Sequence, residues 1–127
     1  VTIAGRPLLF WTLDKFVFHS QIEEIVITLP EDEMLSYRRK IETEFPGKKI
    51  VTLAGGEERQ FSVLNALRKC PADTDFVLIH DGVRPFVSKE EISKLLQIAA
   101  ETKAVIPVGK MKNTIKKIAN NKIVETV

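Results

Sequence analysis

Short β-rich runs alternate with amphipathic stretches along this chain, and that alternation restricts the fold more than any other feature. Ile25 to Leu29 (IVITL), Lys49 to Ala54 (KIVTLA), Phe76 to His80 (FVLIH) and Ala104 to Val108 (AVIPV) read as buried strands. Between them the apolar spacing turns helical. Leu8, Leu9, Leu13 and Phe16 share a face behind Pro7, a residue that the first turn of a helix tolerates. Pro30 with Glu31, Asp32 and Glu33 opens a second helix, because acidic side chains suit the positive end of the helix dipole. A third is expected from Gln60 to Lys69, with Val63, Ala66 and Leu67 inward. Ser88-Lys89-Glu90-Glu91 fits an S-x-x-E capping box, in which hydroxyl and carboxylate satisfy each other's free backbone N–H groups. Ile92, Leu95, Leu96 and Ala99 then mark the buried stripe of a fourth helix. Thr114 to Ile118 and Ile123 to Val127, joined around Asn120-Asn121, read as a β-hairpin. This order predicts an α/β layered fold with a mostly parallel sheet. Its 127 residues, 44% of them apolar, hold one core and hence one domain over residues 1–127.

Several functions are disfavoured at this level. No apolar run approaches the roughly 20 residues of a membrane span. The single Cys70 cannot close an internal disulfide, so a cytosolic, cytoplasmic setting is expected. A net charge of +2 is too small to argue for nucleic acid. Lys110, Lys112, Lys116, Lys117 and Lys122 crowd one end, a run that ordinarily means a solvated face. There is no zinc-ligand spacing, no G-x-S-x-G elbow and no P-loop. His80 follows a buried run and is expected to bond locally, and His19 ends a helix, where a cation is favourable. Cys70 has no partner His in view, and Trp11 reads as core or interface.

Open parallel sheets bind ligands beyond the carboxyl ends of their strands, and two polar clusters fall at such ends. The first is AGGEERQFS, Ala54 to Ser62: Gly55 and Gly56 allow backbone to approach a ligand, and the helix behind them offers free N–H groups. On pattern alone it is also an ordinary strand-to-helix turn. The second is HDGVRP, His80 to Pro85. Asp81 there suits Mg²⁺ or a sugar hydroxyl, Arg84 suits a phosphate in a two-pronged grip, and Pro85 holds Arg84 extended; a surface Asp-Arg pair beside a turn at Gly82 is the plainer alternative. Two such clusters at successive strand ends strengthen each other.

Taken in order, GRPLLFWTLDKF (Gly5 to Phe16), LAGGEERQFSVLNAL (Leu53 to Leu67), VLIHDGVRPFVS (Val77 to Ser88) and NTIKKI (Asn113 to Ile118) resemble the 2-C-methyl-D-erythritol 4-phosphate cytidylyltransferase family along nearly the whole chain. The G-G-x-x-R-x-x-S block followed by H-D-x-x-R-P is far more specific than any single glycine pattern. The resemblance implies a Rossmann-like fold of nucleotidyltransferase type with a projecting β-hairpin arm, beginning in residues 112–127. It implies transfer of a cytidylyl group from CTP to a sugar-alcohol phosphate with Mg²⁺, in non-mevalonate isoprenoid precursor synthesis. It further implies that Gly56 and Glu57 offer backbone to the cytosine, that Gly55 belongs to the same nucleotide-binding loop, that Ser62 bonds the cytosine edge and that Arg59 supports the loop. Asp81 would face the ribose, the metal or acceptor hydroxyls. Arg84 and Thr114 would hold the acceptor phosphate, with Thr114 carried across to the other subunit of a homodimer. The Lys-rich end then gains a role in drawing in anionic substrate.

The sequence also departs from the family pattern. The resemblance starts after a Gly-rich loop with basic residues that binds the triphosphate, and stops before a T-P-Q stretch and a later Lys. It therefore implies a central portion, inactive alone and short of one sheet strand. Asn113-Thr114 stands where the family usually has Asp-Thr, and Gly109-Lys110-Met111 reads as extra loop. Two other expectations compete: a ribitol-5-phosphate cytidylyltransferase, suggested by Val83 within HDGVRP, and a non-catalytic nucleotide-binding or dimerisation module.

Overall fold

A computed structural model describes residues 1–110 and 112–126. The chain opens with a small antiparallel hairpin of β1 (Thr2–Ile3) and β2 (Arg6–Pro7). Its turn residues Ala4 and Gly5 both lie at positive φ, 52° and 76°, which is the backbone twist that a tight two-residue hairpin turn requires. Helix α1 (Leu8–Val17) follows directly, with Pro7 just ahead of its first turn. Arg6 fastens this corner: it meets Asp14 at 2.6 Å and Glu44 at 2.8 Å, and its guanidinium lies 4.9 Å from the Trp11 ring.

β3 (Ile25–Leu29) and β4 (Ile50–Ala54) then pair in parallel, Ile25 opposite Ile50 through Leu29 opposite Ala54, with α2 (Met34–Glu44) as the crossover. Such a pair needs a connection long enough to return along the sheet, and the α2 segment supplies it. The core collects Phe10, Leu13 and Val17 of α1, Ile27 and Leu29 of β3, and Ile41 and Phe45 from the crossover. Phe10 and Phe45 meet edge to face at 5.7 Å, a preferred aromatic geometry. On β4, Thr52 is buried, and Arg38 of α2 reaches its hydroxyl at 3.0 Å and its carbonyl at 3.3 Å. Strand backbone groups that lack a neighbouring strand need such partners.

α3 (Arg59–Leu67) leaves the end of β4, and α4 (Lys89–Thr102) starts at Ser88. The capping box is formed as expected: the Glu91 N–H donates to Ser88 Oγ at 3.1 Å, and the Ser88 N–H donates to the Glu91 carboxylate at 2.8 Å. Ile92 and Ala99 are buried beneath it, with Leu95 and Leu96 half-buried. His19, just past the end of α1, is buried. Its Nδ1 accepts from the Gln21 N–H at 3.2 Å, and its Nε2 meets Ser93 Oγ at 3.0 Å, clasping the end of α1 to α4.

The α/β class holds, but several boundaries and pairings differ from the sequence expectation. Among the described residues the sheet is the β3–β4 pair, not a wider parallel sheet. Phe76 to His80 and Ala104 to Val108 carry no ladder, and Phe76, Val77, Ile79, Ile106 and Val108 are exposed. β-rich composition states only that a segment suits a sheet surface; pairing needs a neighbour within hydrogen-bonding distance, and none stands beside these runs among the described residues. The second helix begins at Met34, after the turn through Glu31, Asp32 and Glu33, and that turn places the Met34 N–H on Glu31 O at 3.4 Å. Leu67 is exposed, while Val63 and Ala66 are half-buried as expected.

The second hairpin consists of β5 (Lys116–Ala119) and β6 (Lys122–Thr126), both fully exposed. Asn120 and Asn121 turn it at φ 50° and 58°, the left-handed conformation that Asn tolerates better than most residues. It starts two residues later than expected, and Thr114 lies ahead of its first strand. Of the expected loop Gly109-Lys110-Met111 and the expected strand Ile123 to Val127, Met111 and Val127 lie outside the described residues.

Candidate functional site

The two polar clusters converge at the carboxyl ends of the sheet. Beyond β4, the Gly55 N–H donates to Leu29 O at 2.9 Å, carrying the parallel ladder one residue past the strand. The chain then folds back on the first turns of α3, where the Gly56 N–H donates to Ser62 Oγ at 2.9 Å. Space demands glycine at Gly56 and is tight at Gly55. A Cβ on Gly55 would stand 3.0 Å from Ser62 Oγ, and one on Gly56 would overlap Phe61. The result is an open cleft of about 350 Å³ lined by Thr28, Leu29, Pro30, Glu31, Gly55, Gly56 and Ser62, within the size range of small-molecule sites. Glu57 is exposed on the loop at the edge of α3.

The second cluster is a tight turn. The Arg84 N–H donates to Asp81 O at 3.1 Å, closing Asp81-Gly82-Val83-Arg84. Asp81 is the hinge of the whole arrangement. Its Oδ1 accepts from Arg59 Nε at 3.2 Å and Nη2 at 3.0 Å, and its Oδ2 forms an ion pair with Arg84 Nε at 2.9 Å. Arg59 is the first residue of α3, where the helix dipole disfavours a cation; the Asp81 carboxylate offsets that charge. The same contact holds the Asp81 carboxyl below the usual carboxylate range, chiefly through the Arg59 hydrogen bonds, with the Arg84 charge adding to it. Arg59 and Arg84 remain 68% and 74% exposed, so guanidinium N–H groups on both stay open to an anion.

The turn rests on α1. Thr12 Oγ1 donates to Gly82 O at 2.8 Å, and Leu9 lies 3.0 Å from where a Gly82 Cβ would sit. His80 packs its ring on Phe16, centroids 5.0 Å apart; burial pushes the imidazole pKa down, partly opposed by Asp81. His80 thus bonds and packs locally.

The structure brings together Gly55, Gly56, Ser62, Arg59, Asp81 and Arg84. It leaves Thr114 exposed, with no hydrogen bond or ion pair to Asp81 or Arg84 among the described residues. Of the lysine run, Lys116 donates to Thr126 at 2.6 Å and Lys117 meets Glu125 at 3.5 Å across the hairpin; the others are solvated. Cys70 is a half-buried thiol whose Sγ lies 3.7 Å from Ala66 O. Reading by motif missed Thr28, Leu29, Pro30 and Glu31. They follow from applying the strand-end rule to Ile25–Leu29 as well as to the strand after it. Thr12 was also missed, and its only signal was a hydroxyl residue inside an apolar helical stripe.

Among the described residues no three His, Cys, Asp or Glu side chains group as a metal site. Asp81 presents both oxygens to guanidinium groups, so the arrangement does not fit a preformed cation site.

Comparison with known proteins decides the family. The family model described as 2-C-methyl-D-erythritol 4-phosphate cytidylyltransferase matches residues 1–127. The chain belongs to this family. Among curated cytidylyltransferases, that of Clostridium beijerinckii is 40% identical over 128 residues, covering 100% of this chain and 56% of the relative. That of Clostridium perfringens strain SM101 is 41% identical over 116 residues, covering 91% and 51%. The crystal structure of 4-diphosphocytidyl-2C-methyl-D-erythritol synthase from Anaerococcus prevotii DSM 20548 superposes with a TM-score of 0.86 at 30% identity. It covers 100% of this chain and 57% of that one. The chain thus spans about half the length of the cytidylyltransferases it matches. Among the described residues no helix is long and apolar enough to cross a membrane.

Proposed function

We propose that the full-length protein is a CTP-dependent cytidylyltransferase acting on 2-C-methyl-D-erythritol 4-phosphate in non-mevalonate isoprenoid precursor synthesis. An oxygen of the acceptor phosphate attacks the α-phosphorus of CTP, the bond from that phosphorus to the β-phosphate bridge breaks, and pyrophosphate leaves. Such a reaction asks a protein mainly for in-line positioning and charge neutralisation. The observation that carries this reading is the Arg59–Asp81 contact. It joins the G-G-x-x-R-x-x-S loop to the H-D-x-x-R-P turn, so that the two most specific family motifs form one surface at the strand ends.

In this reading Gly55, Gly56 and Glu57 present backbone to the cytosine, and Ser62 bonds its edge while holding the Gly56 N–H. Asp81 faces the ribose and the acceptor hydroxyls. Arg84, tied to Asp81 through one guanidinium edge, turns its remaining N–H groups to the acceptor phosphate. Mg²⁺ bound with the nucleotide would neutralise charge on its phosphates; the Asp81 carboxylate, engaged by two guanidinium groups, does not form a preformed cation site. Thr114 and the β5–β6 hairpin belong to an arm that crosses to a second subunit of a homodimer, which accounts for a hairpin exposed on all sides. The layered sheet is completed in the full-length protein, and the setting is cytoplasmic.

The test is pyrophosphate release by the full-length protein with CTP and either acceptor. Turnover with 2-C-methyl-D-erythritol 4-phosphate supports the reading. Turnover only with ribitol 5-phosphate replaces the acceptor, and nucleotide binding without turnover by either leaves a non-catalytic module. Arg84→Ala should raise the acceptor KM and Ser62→Ala the CTP KM. An unchanged acceptor KM in Arg84→Ala would remove its assignment.

A further inference from the structure

Thr12 is a buried polar side chain in the middle of α1, 3% exposed, inside the GRPLLFWTLDKF segment but with no role assigned to it there. Its hydroxyl has one proton and two carbonyls within reach: Gly82 O at 2.8 Å and Leu8 O at 3.5 Å. The shorter contact has the length of a good O–H···O bond and the longer one does not, so the proton goes to Gly82. Leu9, Thr12 and Phe16 lie one above another along the helix and meet Gly82, Gly82 and His80 in turn. One face of α1 is therefore a shelf for the turn that carries Asp81 and Arg84. Fixing the Gly82 carbonyl fixes the Gly82–Val83 peptide plane, and with it the path of the chain into Arg84.

We propose that Thr12 is a positioning residue for acceptor binding, acting through the Gly82 carbonyl on the aim of Arg84. The inference rests on the cytidylyltransferase reading above. On the nucleotide side, Gly55, Gly56 and Ser62 are held by Leu29 and by one another, with no hydrogen bond to Thr12 among the described residues. Loss of the Thr12 proton donor should therefore separate the two substrates.

The experiment is steady-state kinetics on the full-length protein with Thr12→Val, which keeps the shape and removes the donor, and with Thr12→Ser, which restores it. The acceptor KM should rise about tenfold in Thr12→Val, the equivalent of one buried hydrogen bond left unmade. The CTP KM should stay within about twofold, and Thr12→Ser should return the acceptor KM to the parent value. An equal rise in both KM values, no rise at all, or failure of Thr12→Ser to restore the acceptor KM overturns the proposal. If Thr12→Val does not fold, Thr12→Ala, which removes the donor without adding bulk, is read in the same way. If the parent protein shows no cytidylyl transfer, the functional reading fails first. The positioning role is then read by NMR from the Arg84 Nε–H, whose resonance should move in the donor-less variant and return in Thr12→Ser; an unmoved resonance overturns it.

Discussion

Replacing Arg59 by Gln should release Asp81 while leaving the fold standing. Two Arg59 N–H groups converge on one carboxylate oxygen at 3.2 and 3.0 Å, and the Arg59 side chain is 68% exposed against 29% for Asp81. An ion pair so open to water contributes about 0.2–1 kcal/mol, so unfolding of Arg59→Gln should differ from the parent by no more than that. The electrostatic effect on Asp81 is more specific. Its carboxyl is held below the usual range first by the Arg59 hydrogen bonds; burial opposes this, and the Arg84 charge adds to it. Arg59→Gln should therefore raise the Asp81 pKa toward the ordinary carboxylate value, and Arg84→Gln should raise it less. The sign for stability follows from proton uptake. Unfolded Asp81 takes its proton at higher pH than folded Asp81, so the contribution is complete above the ordinary carboxylate range and lost as pH falls through the lowered folded value. The difference in stability between parent and Arg59→Gln should accordingly close in acid. Carbon-13 NMR titration of the Asp81 carboxylate in the full-length protein reads this directly. An unchanged titration in Arg59→Gln, or a larger displacement in Arg84→Gln, would refute the assignment of Arg59 as the main partner.

Gly56→Ala should collapse CTP binding, because the added Cβ overlaps Phe61 and forces the loop off Ser62; isothermal titration with CTP would show it, and parent-like affinity would contradict the packing. Ser88→Ala should lower stability by about 1 kcal/mol through loss of the α4 cap, measured by urea unfolding, without changing either substrate KM. His80, an exposed residue whose ring packs on Phe16 and whose pKa is lowered by partial desolvation, should make the protein slightly less stable as pH falls from about 6.5 through its lower folded value, because the unfolded chain binds the proton first. His80→Gln should flatten that part of the stability curve, and parallel curves for parent and variant would count against it.

Local signals written into neighbouring residues were legible. The Ser88 capping box formed as its spacing predicts, and Asn120-Asn121 turned the hairpin that flanking β-rich runs required. Ile25–Leu29 paired with Ile50–Ala54 because both runs are apolar and a helix long enough for the return crossover lies between them. The motifs also singled out Gly56, Ser62, Asp81 and Arg84 as candidates, since their chemistry and their place after β-rich runs are visible in one dimension.

What the sequence by itself determined is thus the menu of elements, their caps and turns, and the chemical character of two strand ends. Tertiary structure alone decided that Arg59 and Arg84 share the Asp81 carboxylate, that Thr12 supports Gly82 from 70 residues away, and that His19 clasps α4. It also decided that Phe76 to His80 and Ala104 to Val108 stay unpaired among the described residues. The physical reason is common to all four. Helix caps and tight turns are satisfied by atoms a few residues away, so their partners are written beside them. A buried hydroxyl, a shared carboxylate or a strand edge is satisfied by whatever the fold brings near, and sequence spacing carries no record of that neighbour.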